Sequence, residues 1–231
     1  MSKTPIRFIL TDIEGTTTSI SFVADELFPY FRNNIGLLKT MTDHPVVKEA
    51  FSETVELALK EDGKTISTVD EIIETLHRWS LEDRKITPLK TLQGLLWKKG
   101  YEDGDLKGHV YDDVPDKLKE WQRQGIGLGV FSSGSVAAQQ LIFGYSIAGD
   151  LTPCFSAYFD TKTGGKRETE TYRKIAGELN IPASEILFLS DIVEELQAAD
   201  EAGYQTIQLL RPGTVKGWEQ TAVDFSEISV K

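Results

Sequence analysis

The sequence predicts an α/β protein: a Rossmann-like parallel sheet with helices on both faces, interrupted by an inserted all-α cap. Three observations carry this. Short apolar, β-branched runs alternate with helical patterns from about residue 106 onward, the arrangement that builds a parallel sheet covered on both faces. Between the first such run and that region, helical punctuation recurs without a convincing strand. The chain has 231 residues, which suits one core domain with a smaller insertion. The expected core is therefore residues 1–18 with 106–231, and residues 19–105 form the cap.

The elements follow in order. Ile6-Arg7-Phe8-Ile9-Leu10 is short and mostly apolar, as a largely buried first strand should be, and it ends on Thr11-Asp12-Ile13-Glu14-Gly15-Thr16. In 47–59, Val47, Phe51, Val55 and Leu59 make a helical stripe. Ser67-Thr68-Val69-Asp70 reads as a capping box opening a helix with Ile72, Ile73, Leu76 and Trp79 inward. Thr87-Pro88 opens another, through Leu89, Leu92, Leu95 and Leu96, with Gly100 as its stop. Pro115 starts a helix with Leu118 and Trp121 that ends at Gly125. The strand Ile126–Phe131 breaks at Ser132-Ser133-Gly134-Ser135, where a helix begins. A strand near Ala157–Phe159, a helix at 169–179, the strand Ile186–Leu189, a helix reaching Gly203 and the strand Gln205–Leu210 complete the sheet.

Composition removes several function classes. With 40% hydrophobic and 26% charged residues the chain reads as an ordinary globular protein. The net charge of -11, from 36 acidic against 25 basic residues, argues against nucleic-acid or anionic-membrane partners, which need clustered Lys and Arg. No window approaches the ~20 apolar residues of a spanning helix, and the N-terminus lacks a signal-peptide pattern. The lone Cys154 allows neither an intrachain disulfide nor a Cys-x-x-Cys metal site, in keeping with a cytoplasmic protein. A monomer is expected.

In open α/β sheets ligands bind beyond the carboxyl ends of the strands, and the reactive side chains collect there. Asp12 and Glu14 follow the first strand, Ser132 and Ser133 the second, Lys166 lies in the loop after the third, and Asp191 follows the fourth, with Glu194 and Glu195 behind it. Asp12 and Asp191 facing each other would repel, and a hard cation with few protein ligands, Mg²⁺, relieves that and partners a phosphate. Ser133, the amides around Gly134 and the helix start at Ser135 offer donors to phosphate oxygens, and Lys166 a point charge. Asp12 is then placed to attack phosphorus, and Glu14 to protonate the leaving oxygen and deprotonate a water. Taken singly each piece has a plainer reading: a turn-forming Asp, a helix-starting Ser loop, a solvated Lys, and, for Glu194 and Glu195, acids favoured by the helix dipole. The constellation in this order outweighs them.

That order, with Asp-Ile-Glu-Gly-Thr at 12–16, resembles the haloacid dehalogenase superfamily, whose commoner pattern has Asp where this chain has Glu14. Together with Phe131-Ser132-Ser133-Gly134-Ser135, Pro88–Gly94 with Trp97, Leu106–Pro115, Phe159–Lys162 and Leu189–Asp191, it is similar to the enolase-phosphatases of methionine salvage. The resemblance spans nearly the whole chain. It implies Asp12 as nucleophile and Mg²⁺ ligand, Glu14 as acid/base with its carbonyl on Mg²⁺, Ser132, Ser133 and Lys166 as phosphate binders, and Asp191 as the remaining metal ligand. The implied reaction enolises 2,3-diketo-5-methylthiopentyl-1-phosphate and then hydrolyses its phosphate to give the acireductone 1,2-dihydroxy-5-methylthiopent-1-en-3-one, with Glu14 as first candidate for the carbon-bound proton. The partner is thus a small-molecule phosphate ester. Two other readings stay open: another phosphatase of the superfamily, acting on a sugar phosphate or phosphoglycolate, and a non-enzymatic binding module. His109 is expected at a domain junction, and Lys90 and Gln93 are cap residues able to face substrate.

Overall fold

The computed structural model describes residues 4–230; residues 1–3, part of the N-terminus read for a leader, and residue 231 lie outside the described residues. The chain divides into two compact units, one running up to Phe22 and again from Lys107, the other Val23–Leu106. The sequence divided it at 18/19 and 105/106. Residues 19–22 stay with the first unit because His109 holds them: its Nδ1 accepts from the Ser19 amide at 3.1 Å and its ring stacks on Phe22, centroids 6.2 Å apart.

The first unit contains a six-stranded, all-parallel sheet: β1 (Phe8–Thr11), β2 (Gly127–Phe131), β3 (Ala157–Phe159), β4 (Ile186–Ser190), β5 (Gln205–Leu209) and β6 (Thr221–Ala222), in the order β3-β2-β1-β4-β5-β6. Every residue of β1 and β4 is buried, as parallel strands covered on both faces require. Phe8, Leu10, Phe131 and Phe188 form one core cluster with Tyr172, Ile175, Leu196 and Ala199. Ile9, Leu128, Val130, Leu187 and Leu189, the alternate positions, are also buried. The last strand differs from expectation. The sheet does not close at β5, because Thr221 and Ala222 pair with Gln208 and Leu209, and two residues are too few to leave a periodic signal.

A helical turn, α1 (Ile20–Phe22), follows β1. The second unit holds α2 (Phe28–Asn34), α3 (Pro45–Asp62), α4 (Val69–Leu81) and α5 (Thr87–Asp103). Its core gathers Phe31, Leu38, Val47, Phe51, Ile72, Ile73, Leu76, Trp79, Leu89, Leu92 and Leu96. Three local readings are corrected. Leu59 is 58% exposed and Ala58 takes the buried place, since a stripe spaced by four drifts around a helix of 3.6 residues per turn. The capping box is Thr68–Glu71, one residue later than read. Glu71 accepts from the Ser67 and Thr68 amides at 2.8 and 2.9 Å and the Thr68 hydroxyl accepts from the Glu71 amide at 3.2 Å; Asp70 pairs with Lys39 instead. Gly100 does not end α5. It is interior, where a Cβ would lie 2.6 Å from the Tyr30 ring, and the left-handed Gly104, φ +84°, ends the helix.

The remaining helices belong to the first unit: α6 (Val114–Arg123), α7 (Val136–Gly144), α8 (Thr169–Leu179) and α9 (Val193–Glu201). β1 lies between β2 and β4, so the carboxyl ends of these three strands are neighbours: Thr11 pairs with both Val130 and Leu189. The strand order reverses here, the place where open α/β sheets bind ligands.

Candidate active site

Asp12 continues β1, its amide donating to the Leu189 carbonyl at 2.9 Å. The chain then folds into a tight loop in which the Ile13 carbonyl accepts from the amides of Thr16, Thr17 and Thr18 at 3.2, 3.0 and 2.9 Å. Gly15 makes this possible. Its φ is +71°, and a Cβ there would come 2.3 Å from Asp191 Oδ2, so the Asp12–Glu14 loop and the end of β4 meet without room for a side chain.

After β2, the Ser132 hydroxyl accepts from the Gly134 amide at 3.2 Å, leaving its own hydrogen to donate elsewhere. Ser133 is exposed. Ser135 caps α7, accepting from the Ala138 amide at 3.3 Å. Two buried side chains hold this loop. Gln139 Nε2 donates to the carbonyls of Gly134 and Phe159 at 2.9 and 2.7 Å, and Asp160 accepts from the Val136 and Lys162 amides at 3.2 and 2.8 Å.

Lys166 arrives from the loop after β3, its carbonyl accepting from the Tyr172 hydroxyl at 2.7 Å. Its Nζ lies 2.7 Å from Asp12 Oδ1 and 2.7 Å from Glu195 Oε2. Burial opposes its charge, but the two carboxylates outweigh that and raise its pKa, so it remains an ammonium. Asp12 Oδ1 also accepts from the Ile13 amide at 2.7 Å.

Asp191 is 7% exposed and its Oδ1 finds no hydrogen-bond partner. Burial, then the neighbouring Asp12, push its pKa from 3.8 up to about 6. A buried carboxylate oxygen with no donor, beside a second carboxylate, is a poor arrangement for protein alone and a suitable one for a cation. Among the described residues, no three His, Cys, Asp or Glu side chains form a metal cage of their own. The donor set is two carboxylates, few enough to fit an ion that keeps waters.

Asp12, Glu14, Ser132, Ser133, Lys166 and Asp191 all line one cavity of about 180 Å³, so the sheet edge brings together the six side chains singled out by sequence. Ile20, Ile192 and Glu195 complete its lining. Glu195 is the residue that sequence reasoning missed. Beyond a first-turn acid, it is buried, pairs with Lys166 and accepts from the Ser190 hydroxyl at 3.0 Å; burial and Asp12 push its pKa up. A signal existed: in α9 the buried positions are Glu195, Leu196, Ala198 and Ala199, so Glu195 lies three and four residues before two core alanines, on the inward stripe. Glu194 is exposed. Lys90 and Gln93 lie on α5 of the other unit.

Residues 6–203 match the family described as haloacid dehalogenase-like hydrolase. Among curated proteins, enolase-phosphatase E1 of Picosynechococcus sp. is 52% identical over 97% of this chain and 98% of its own length. That of Methylococcus capsulatus is 56% identical over 91% and 92%. Among solved structures, the UTR4 protein of Saccharomyces cerevisiae superposes with a TM-score of 0.83 at 34% identity, covering 96% of this chain and all of that one.

Proposed function

The chain belongs to the haloacid dehalogenase-like hydrolases and, within them, to the enolase-phosphatase E1 family, and from that premise we propose how its residues divide the work. It is a phosphatase, an enolase-phosphatase of methionine salvage. The substrate in this reading is 2,3-diketo-5-methylthiopentyl-1-phosphate, enolised and then dephosphorylated to the acireductone. Hydrolases of this kind are generally metal-dependent. The metal we assign is Mg²⁺, held by the carboxylates of Asp12 and Asp191 and the Glu14 carbonyl. When bound, it supplies Lewis acidity toward the phosphoryl oxygens and the enolate and relieves the repulsion between the two carboxylates.

Asp12 is the nucleophile. With Lys166 and the Ile13 amide both on Oδ1, its carboxylate is fixed in orientation. Its attack on phosphorus forms an aspartyl-phosphate and releases the enol oxygen, which Glu14 protonates. Glu14 then takes a proton from the water that hydrolyses the acyl phosphate. Ser132 and Ser133 donate to the phosphate oxygens and Lys166 balances their charge. Glu14 is also assigned the carbon-bound proton of the enolisation. The helical unit Val23–Leu106 is assigned the part of a cap. The enzyme acts as a cytoplasmic monomer; among the described residues no helix is long and apolar enough to cross a membrane.

The observation that carries these roles is the single cavity lined by all six side chains. The test is a Mg²⁺-dependent assay on the diketone phosphate, following enolisation by absorbance and phosphate release in parallel. Asp12→Asn is expected to abolish release. Full phosphatase activity in that variant rules out the assigned nucleophile, and faster turnover of a sugar phosphate by the parent enzyme rules out the substrate.

A further inference from the structure

Two side chains reach back from the end of β5 to the loops bearing the carboxylates, and both lie beyond residue 203, where the match to the hydrolase family ends. Gln208 is 1% exposed. Its Nε2 donates to the carbonyls of Asp191 and Val215, both at 3.0 Å, and its Oε1 accepts from the amides of Gly217 and Trp218 at 2.9 and 3.1 Å. Carbonyls on one side and amides on the other fix the orientation of the side-chain amide and use all four of its hydrogen-bonding capacities. Arg211, 5% exposed, donates from Nε to the Thr16 carbonyl at 3.0 Å and from its two Nη atoms to Asp113 at 2.8 and 2.7 Å. Its guanidinium lies 4.1 Å from the centroid of the Tyr111 ring, and Asp113 accepts a further bond from the Phe225 amide at 2.8 Å. The planar fork is thus held on three sides.

Thr16 stands two residues after Glu14, and the carbonyl that Gln208 grips is that of Asp191 itself. The two anchored loops meet at Gly15, where not even a methyl group fits against Asp191. Any slackening of either anchor therefore changes the separation of the Asp12 and Asp191 carboxylates directly. We propose that Gln208 and Arg211 are positioning residues that set this separation, and with it the affinity of the pair for a divalent cation and the rate of phosphoryl transfer. The inference rests on the reading of Asp12 and Asp191 given above. It assigns the C-terminal segment a part in the reaction without contact to substrate.

The test uses the full-length chain with Gln208→Glu and Arg211→Lys. The first keeps the shape and the acceptor oxygen but loses the amide donor. The second keeps the charge but cannot serve Thr16 and both Asp113 oxygens together. Mg²⁺ alone is titrated calorimetrically into substrate-free protein, and kcat and KM are measured with p-nitrophenyl phosphate. Supports of metal ligands are commonly worth about 10–100-fold in affinity or activity, so the expected result is Mg²⁺ binding weakened at least tenfold and kcat lowered at least tenfold, with KM for the ester little changed. Gln205→Ala is the comparison: at the other end of β5, Gln205 bonds the carbonyls of Thr4 and Ser184, and its loss should lower the melting temperature only. If Gln208→Glu does not fold, Arg211→Lys decides alone. Variants that melt earlier yet bind Mg²⁺ and turn over like the parent overturn the inference. A parent protein that neither binds Mg²⁺ nor releases phosphate overturns the reading of the cavity, and the inference with it.

Discussion

Replacing Asp191 by Asn should stabilise the metal-free protein while removing its activity. In the folded chain burial and Asp12 raise this carboxyl from 3.8 to about 6. Between those values the unfolded chain has lost the proton and the folded chain still holds it, so stability falls as pH rises through that window. Below about pH 4 both states are protonated and the penalty vanishes; above about pH 6 both are ionised and it is present in full. A window of about two pH units at 1.36 kcal/mol each makes the penalty roughly 3 kcal/mol at neutral pH. Solvent screening takes little from this, because the residue is 7% exposed. Asn introduces an amide into a niche where Oδ1 already lacked a partner, a loss of about 1 kcal/mol or more. The net expectation is a gain of about 1–2 kcal/mol in EDTA at pH 7.5, shrinking to nothing or reversing near pH 4. Urea unfolding of parent and variant at both pH values measures it. With Mg²⁺ present the order should reverse, since only the parent gains from binding. A variant less stable than the parent at pH 7.5 in EDTA, or equally affected at both pH values, refutes the reasoning.

Lys166→Met should lower phosphate release by more than about 100-fold and destabilise the fold by roughly 3–5 kcal/mol, because it strands Asp12 and Glu195 as buried carboxylates; denaturant titration and an assay at saturating substrate check the two effects. Lys166→Arg should not restore activity, since a planar fork does not fit a point-charge position between two oxygens. Gly15→Ala places a methyl group against Asp191 and forces a left-handed backbone on a side chain; a loss of at least about 1–2 kcal/mol with weakened Mg²⁺ binding is expected by melting and calorimetry. Wild-type Mg²⁺ affinity in that variant would show that the two loops tolerate separation.

The parts of this architecture legible in the sequence are those whose cause is local. β3 at Ala157–Phe159 and α8 at Thr169–Leu179 lie where read, since apolar runs and turn residues bound them. The six cavity residues were legible because each sits just past a strand or in the loop after one, and parallel topology carries such positions to one edge. What failed depends on distant partners. Gly100 looks like a helix stop until Tyr30, seventy residues away in sequence, fills the space beside it. Ser67 and Thr68 are equivalent as caps until the reach of Glu71 and the pairing of Asp70 decide between them. The bond between Arg211 and Asp113 carries no local signal, because Asp113 sits in a segment read only for its resemblance, Arg211 in no motif, and the pair joins distant parts of the first unit's second segment.

The charge of the chain and the charge of its cavity obey different rules. A net charge of -11 acts through screened fields that fade within about 8–10 Å at ordinary ionic strength, so it discourages extended polyanions while saying little about one buried pocket. Within the cavity four carboxylates, Asp12, Glu14, Asp191 and Glu195, face one ammonium, Lys166. That ammonium bonds Asp12 and Glu195 and acts on Asp191 only through space, more weakly than burial and Asp12 act against it. At an effective dielectric of about 20, each ionised carboxylate about 4 Å from an entering anion opposes it by ~4 kcal/mol. A positive charge at Asp191 would offset that opposition, which is the part proposed above for Mg²⁺. The raised pKa of Asp191 and its orphaned Oδ1 support that proposal, since both burdens fall on the one carboxylate that no donor satisfies at Oδ1.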